Sequence, residues 1–166
     1  MTAQIYLRRA TDADLARIME IERTPGYETV VGRSSAEFHA RALVDPDYAY
    51  LVAADKAGAI GGFAILRDLG NIMGNTCLKR IAVADPGKGL GRRLLSGVIG
   101  WVFTETATHR FWLDHIIGND RARRVYEACG LTREGVMREA YALPDGQRVD
   151  LALMSLLRTE WAAKSG

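Results

Sequence analysis

Residues 81–95, "IAVADPGKGLGRRLL", set an apolar run against three glycines in five positions and then open an apolar helical pattern. A strand that feeds a helix through so short a turn begins a crossover, and a crossover needs a parallel neighbour in a sheet with helices on its face. The glycine stretch has three readings: a plain turn, a nucleotide loop, or a cradle for another phosphate. A dinucleotide fingerprint from Gly87 requires glycine at position 92, where Arg92 stands, and a P-loop requires Ser or Thr after Gly-Lys, whereas Lys88 is followed by Gly89. Both nucleotide patterns fail. What remains is a loop of small residues before a helix start that bears Lys88, Arg92 and Arg93. Unobstructed backbone N–H groups and the positive end of a helix suit a pyrophosphate, and the spacing points to coenzyme A.

The flanking pattern supplies the rest of a mixed sheet. "QIYLRRA", "YAYLVAA", "AIGGFAILRDL", "CLKRIAVA", "RFWLDHII", "LTREGVMREAY" and "QRVDLALMSLL" read as strands, with "DKAG" and "LPDG" as turns. "TDADLARIMEIERT" reads as a helix capped by Thr11, and "SSAEFHARALVD" as one capped by Ser34 or Ser35. "GRRLLSGVIGWVFTE" carries Leu94, Leu95, Val98, Ile99 and Val102 at helical spacing, and "NDRARRVYEACG" runs from an Asn119 cap to a Gly130 stop. Helices alternate with strands in the middle and hairpins lie on both sides. Parallel neighbours are expected where the helices near residues 91 and 119 begin.

A chain of 166 residues is expected to form one domain over residues 1–166. With 22 Lys and Arg against 20 Asp and Glu, the formal charge is only +2, which disfavours a nucleic-acid partner. No stretch approaches the roughly 20 apolar residues of a membrane span, and the start lacks a signal peptide's apolar run. Cys77 and Cys129 make no disulfide framework, and no Cys/His spacing indicates a metal. The expectation is a reduced, cytoplasmic protein without metal or membrane.

"IAVADPGKGLGRRLL" resembles the acyl-CoA loop of the GNAT superfamily of N-acyltransferases, with Gly89 and Gly91 on the last two signature positions. "LDHIIGNDRARRVYEACGLTREGVMREAY" resembles the second half of that family, so the likeness runs from about residue 48 to 160. The loop departs from the pattern at Pro86, where Gln or Arg is usual, and in a shorter approach from Val83. The resemblance implies an α/β fold of three layers: a mixed, mostly antiparallel sheet of six to seven strands flanked by about four helices. It also implies acetyl-CoA as co-substrate. Gly87, Lys88, Gly89, Leu90, Gly91 and Arg92 would hold it at the loop, Ile81 and Val83 through the splayed strand's N–H groups, and Asn119 from its helix.

Acyl transfer to an amine needs a neutral amine, an oxyanion donor and a proton for the leaving thiolate. The resemblance assigns the proton to Tyr126. Asp114, an ionisable group in the apolar strand "FWLDHI" and twelve positions before Tyr126, is the candidate base. A structural ion pair is its alternative role, and His115 is the reserve, because adjacent strand positions face opposite ways. Cys129 reads as a core residue rather than a nucleophile, and Arg123 and Arg124 as a solvated helix face.

Acceptor choice in this family lies near residues 22–36 and 138–148, where Glu22, Glu28, Tyr27 and Tyr141 make a candidate acidic, aromatic rim for an ammonium. The tail "EGVMREAYALPDGQRVDLALMSLLRTEW" resembles the branch that acetylates ribosomal-protein N-termini, and relatives acting on polyamines and other small amines. The expected function is N-acetylation of a protein N-terminus or a small amine, with a homodimer as a candidate assembly. The alternative is a catalytically silent acyl-CoA-binding or dimerisation module of the same fold.

Overall fold

The computed structural model describes residues 4–165. Seven strands form one sheet: β1 (Tyr6–Arg9), β2 (Ala49–Ala54), β3 (Ile60–Arg67), β4 (Asn75–Val83), β5 (Arg110–Ile116), β6 (Thr132–Ala142) and β7 (Arg148–Leu157). The helices are α1 (Leu15–Glu22), α2 (Ala36–Val44), α3 (Leu90–Glu105), α4 (Asp120–Ala128) and α5 (Arg158–Ser165), with a 3-10 turn at Asp12–Asp14. The strand order is β1-β2-β3-β4-β5-β7-β6. Every neighbouring pair is antiparallel except β4 and β5. The three-layer mixed sheet is the expected architecture.

One expectation is corrected. Only the crossover through α3 ends on an adjacent parallel strand; the one through α4 reaches β6, and β7 returns to lie between β5 and β6. Beside the four helices read from the sequence, the described residues include α5, which carries no periodic apolar signal of its own. Tertiary contacts hold it. The Arg158 guanidinium donates to the carbonyls of Phe103, Thr106 and Thr108 at 2.6–2.8 Å, satisfying acceptors at the end of α3. Trp161 packs on Phe103 with ring centroids 5.4 Å apart.

Alternation along the strands makes two cores. On one face Leu51, Ala64, Leu66, Phe111, Leu113 and Met154 pack against α3, with Val125, Tyr126 and Trp161 at the margin. On the other, Tyr50, Val52, Phe63 and Ile65 pack against Leu15, Ile18 and Ile21 of α1 and Ala42 of α2. The predicted stripe of α3 is buried throughout, and each such side chain contributes about 1.5–3 kcal/mol. Two of the expected caps form, Ser35 Oγ accepting from the Phe38 amide and Asn119 Oδ1 from the Ala122 amide, whereas Thr11 stands ahead of the 3-10 turn and the N-cap of α1 is Asp14. Among the described residues, no helix is long and apolar enough to cross a membrane.

Candidate active site

The site opens where β4 and β5 part. They pair only at Asn75–Arg110, Thr76–Phe111 and Cys77–Trp112. Beyond Cys77, β4 stays with β3 as far as Val83 and β5 with β7 as far as Ile116. From Leu78 on, β4 therefore presents a free edge to the gap. The Ala84 amide donates to Gly61 O at 2.8 Å on the β3 side, and the Tyr27 hydroxyl donates to Val83 O at 2.6 Å from the other side. Because strand amides alternate in direction, the Ile81 and Val83 N–H groups also face the gap.

The loop that follows brings a second set of donors. Gly87 and Gly89 have φ of 91° and 78°, which an L side chain rarely adopts. Gly89 caps α3, and no side chain bonds the helix start. Gly91 is different, since its backbone is ordinary helix and a Cβ there would meet nothing within 4 Å. Nothing inside the protein requires a glycine at 91. What its bare surface provides is room outside the protein, against the first turn of α3.

Splay, loop and α4 enclose a cleft of about 390 Å³. Ile81, Val83, Gly87, Gly89, Gly91, Arg92, Asn119 and Tyr126 all line it. A smaller recess of about 70 Å³ shares Ile81, Asn119 and Tyr126 with the cleft and adds Asp114 and His115. Two expected residues lie elsewhere: Lys88 and Leu90 line a separate depression with Ile60 and Asp85, and the Lys88 ammonium pairs with Asp85. Their side chains belong to the back of the loop. Arg123 is a solvated helix residue, paired with Asp120 and Glu127.

Asp114 keeps an accessible carboxylate at the mouth of the recess, and the protein mass around it raises its pKa, mainly by desolvation. The Tyr126 hydroxyl is pushed up to about 12, first by burial and then by the Asp114 charge. It stays a protonated donor across the neutral range. His115 points to the other face, where it packs on Tyr126 with ring centroids 5.5 Å apart. Its Nδ1 donates to Ile116 O at 3.0 Å, which leaves a buried Nε2 without a partner.

The expected acidic rim is not there. Glu22 is fully buried, and its carboxylate accepts from Arg23 (2.6 Å), Arg80 (2.7 Å) and the Ser34 amide (3.2 Å), with His39 Nε2 at 3.3 Å. Burial alone would raise its pKa, but these partners outweigh burial and hold it low. His39 Nδ1 lies 2.9 Å from the Tyr50 hydroxyl, whose pKa burial pushes up to about 12. Tyr27 is buried against Val83, and Glu28 folds back on the Gly26 amide at 2.9 Å. Tyr141 lies half-buried on β6.

Sequence reasoning missed Val30, Val31, Arg121, Ala122 and Val125 in the cleft wall. Ala122 and Val125 share the helix face of Tyr126, a legible signal; Val30 and Val31 lie in an irregular connection that carries no periodicity.

Residues 4–132 match the family model described as the acetyltransferase (GNAT) domain. The chain is 29% identical over 85 residues to a spermidine N(1)-acetyltransferase of Vibrio cholerae. That alignment spans about half of each protein, 51% of this chain and 49% of the relative. A mutant form of spermidine N-acetyltransferase from Vibrio cholerae superimposes with a TM-score of 0.86 at 22% identity, covering 98% of this chain and 99% of that one. The enzyme of that organism in complex with CoA and spermine gives 0.85 at 23% identity, covering 96% and 98%. These relatives are spermidine acetyltransferases, not the ribosomal-protein branch expected from the tail. The tail builds β6, β7 and the start of α5.

Proposed function

The chain belongs to the acetyltransferase (GNAT) domain family, and from that premise we propose that it moves an acetyl group from acetyl-CoA directly to the primary amine of a small acceptor. One observation carries this reading: the free edge of β4 and the glycine-lined start of α3 open on a single cleft that also contains Tyr126. The spermidine-acetylating relative supports a small amine over a protein N-terminus.

The residues fit the coenzyme. The N–H groups of the α3 first turn, with Arg92 beside them, suit a pyrophosphate, and the open surface of Gly91 leaves room for it. The Val83 N–H suits the amide of the pantetheine arm, and the Ile81 N–H suits the thioester oxygen, where negative charge grows as the amine adds. Asn119 also lines the cleft.

In the proposed reaction the amine lone pair forms the new N–C bond and the C–S bond breaks. The amine proton passes to Asp114, directly or through one water, and the Tyr126 hydroxyl protonates the leaving sulfur. The environments suit these roles. Asp114 is a strengthened base that solvent can reach, and Tyr126 is an acid kept protonated by burial. Holding both substrates in one cleft also removes the need for a covalent enzyme intermediate.

The test is thermal unfolding with acetyl-CoA beside equal NADH and ATP, followed by a thiol-release assay over an amine panel. A ligand at 100 times its Kd adds about 2.7 kcal/mol, several degrees for a domain of this size. A shift with acetyl-CoA alone and amine-dependent thiol release support the proposal. A folded protein with no shift overturns it, and a shift without acetylation of any amine favours the silent binding module.

A further inference from the structure

Building on the acetyltransferase reading, we propose that the acceptor is a small amine bearing an anionic group, a carboxylate or a phosphate, a few bonds from the reacting nitrogen, and that Lys79 receives that group beside the Asp114–Tyr126 recess. The register of β3 and β4 brings this about. Leu66 pairs with Leu78 and Ile65 with Arg80, so Lys79 is the extra residue of a β-bulge. The bulge places Lys79 and Arg80 side by side on the α1/α2 face: the Lys79 ammonium lies 5.6 Å over the Phe38 ring of α2, and Arg80 reaches Glu22 of α1. Both residues line the recess with Asp114 and Tyr126.

The charges there do not suit a polycation. Among the described residues lining the recess, Asp114 is the only carboxylate. Glu22 is consumed by Arg80, Arg23 and His39; Glu28 is turned onto the Gly26 amide; Asp68 pairs with Arg67. Among the described residues, Lys79 forms no ion pair with a carboxylate, and the Nε of Arg80 is buried without an acceptor. Desolvation, then the nearby Arg80 and Arg67 charges, lower the Lys79 pKa, and the Asp114 and Cys77 groups offset this only in part. Asp114 can meet one ammonium, the reacting one. A second ammonium on the same molecule would face Lys79, whereas an anion there would complete the charge pairing.

The experiment compares kcat/KM at saturating acetyl-CoA for spermidine, butylamine, a set of L-amino acids and phosphoethanolamine, in the native protein and in Lys79→Gln and Lys79→Arg. The amino acids and phosphoethanolamine separate a carboxylate from a phosphate. At least one of them should exceed butylamine by about tenfold, with spermidine below it, as one well-placed charge contact allows. Lys79→Gln should remove that preference mainly through KM, and Lys79→Arg should restore it. Spermidine used as well as the anionic amines, or an unchanged KM in a folded Lys79→Gln, overturns the inference and leaves acetyl transfer standing. Failure to bind acetyl-CoA, or to acetylate any amine, overturns the acetyltransferase reading and this inference with it.

Discussion

The two walls of the cleft are made of different material. The wall proposed for the coenzyme is backbone: the free edge of β4 at Ile81 and Val83, and a glycine loop ahead of a helix whose N-cap, Gly89, brings no side-chain bond. The wall proposed for the acceptor is side chain: Lys79, Arg80 and Asp114 on strands, with Arg80 held by the buried carboxylate of Glu22 from α1. Backbone recognition asks only that a few residues be small and a strand be unpaired. Side-chain recognition asks that specific charges be left over once the internal pairs have formed. The first can persist while the sequence changes around it; the second can be altered by one ion pair.

Removing Glu22 should separate the walls most sharply. Glu22→Ala leaves the Arg80 charge uncompensated at a site where the side chain is 8% exposed, a change that costs about 3–5 kcal/mol. Urea unfolding should show that loss, while acetyl-CoA affinity, measured at a temperature where the variant is folded, should stay unchanged. An equal loss of coenzyme affinity would mean that the walls are one cooperative unit. Tyr126 stands where they meet. Tyr126→Phe should lower kcat on the order of 100-fold, the reach of one general acid, with acetyl-CoA stabilising the protein as before. Undiminished kcat would leave Tyr126 a packing residue against His115 and remove it from the chemistry.

The same division explains what could be read in the sequence. The stripe from Leu94 to Val102 gave α3, alternation gave the strands, and failed nucleotide spacings left Gly87, Gly89 and Gly91 as an anion cradle. These signals are local, so they survive without knowledge of neighbours. Glu22 misled because two of the partners that bury it, His39 and Arg80, are 17 and 58 positions away. No pattern near residue 22 distinguishes a buried, paired carboxylate from a rim that greets an ammonium. Lys79 escaped for a related reason: a bulge is a property of two paired strands, and the sequence of β4 alone reads as plain alternation. Lys88 shows the limit of the local signal, for the loop was identified while the side of it that Lys88 faces was not.

A pair of glycine substitutions sharpens the backbone side. Gly89→Ala forces a side chain onto φ of 78°, at a cost of about 1–2 kcal/mol. Gly91→Ala has neither strain nor a clash, and replacing a helical glycine raises stability by up to about 1 kcal/mol. Its methyl nonetheless occupies the surface proposed for the pyrophosphate, so KM for acetyl-CoA should rise by roughly tenfold, the scale of one lost charged hydrogen bond. A variant more stable in urea and poorer in acetyl-CoA binding would mark Gly91 as kept for the ligand. Unchanged KM would return it to an ordinary helix position.

The smallest effect concerns pH, and two aspartates give it opposite signs. Asp14, paired with Arg8 at 2.7 Å, has its pKa lowered to about 2. It contributes stability that is present above the ordinary aspartate value of 3.8 and is lost as pH falls towards 2. Asp114 is raised instead, chiefly by desolvation. Between its ordinary and raised values the native state binds more protons than the unfolded chain, so stability falls as pH rises through that window and the ionised carboxylate is a standing cost at neutral pH. Asp114→Asn should abolish this part of the slope in urea unfolding and make the protein slightly more stable near pH 7, with the acid limb of kcat/KM lost at the same time. If Asp114 were held by a structural ion pair, the substitution would have the opposite sign and cost stability near neutrality. A carboxylate that weakens the fold at neutral pH fits the base proposed for Asp114 better than a structural partner.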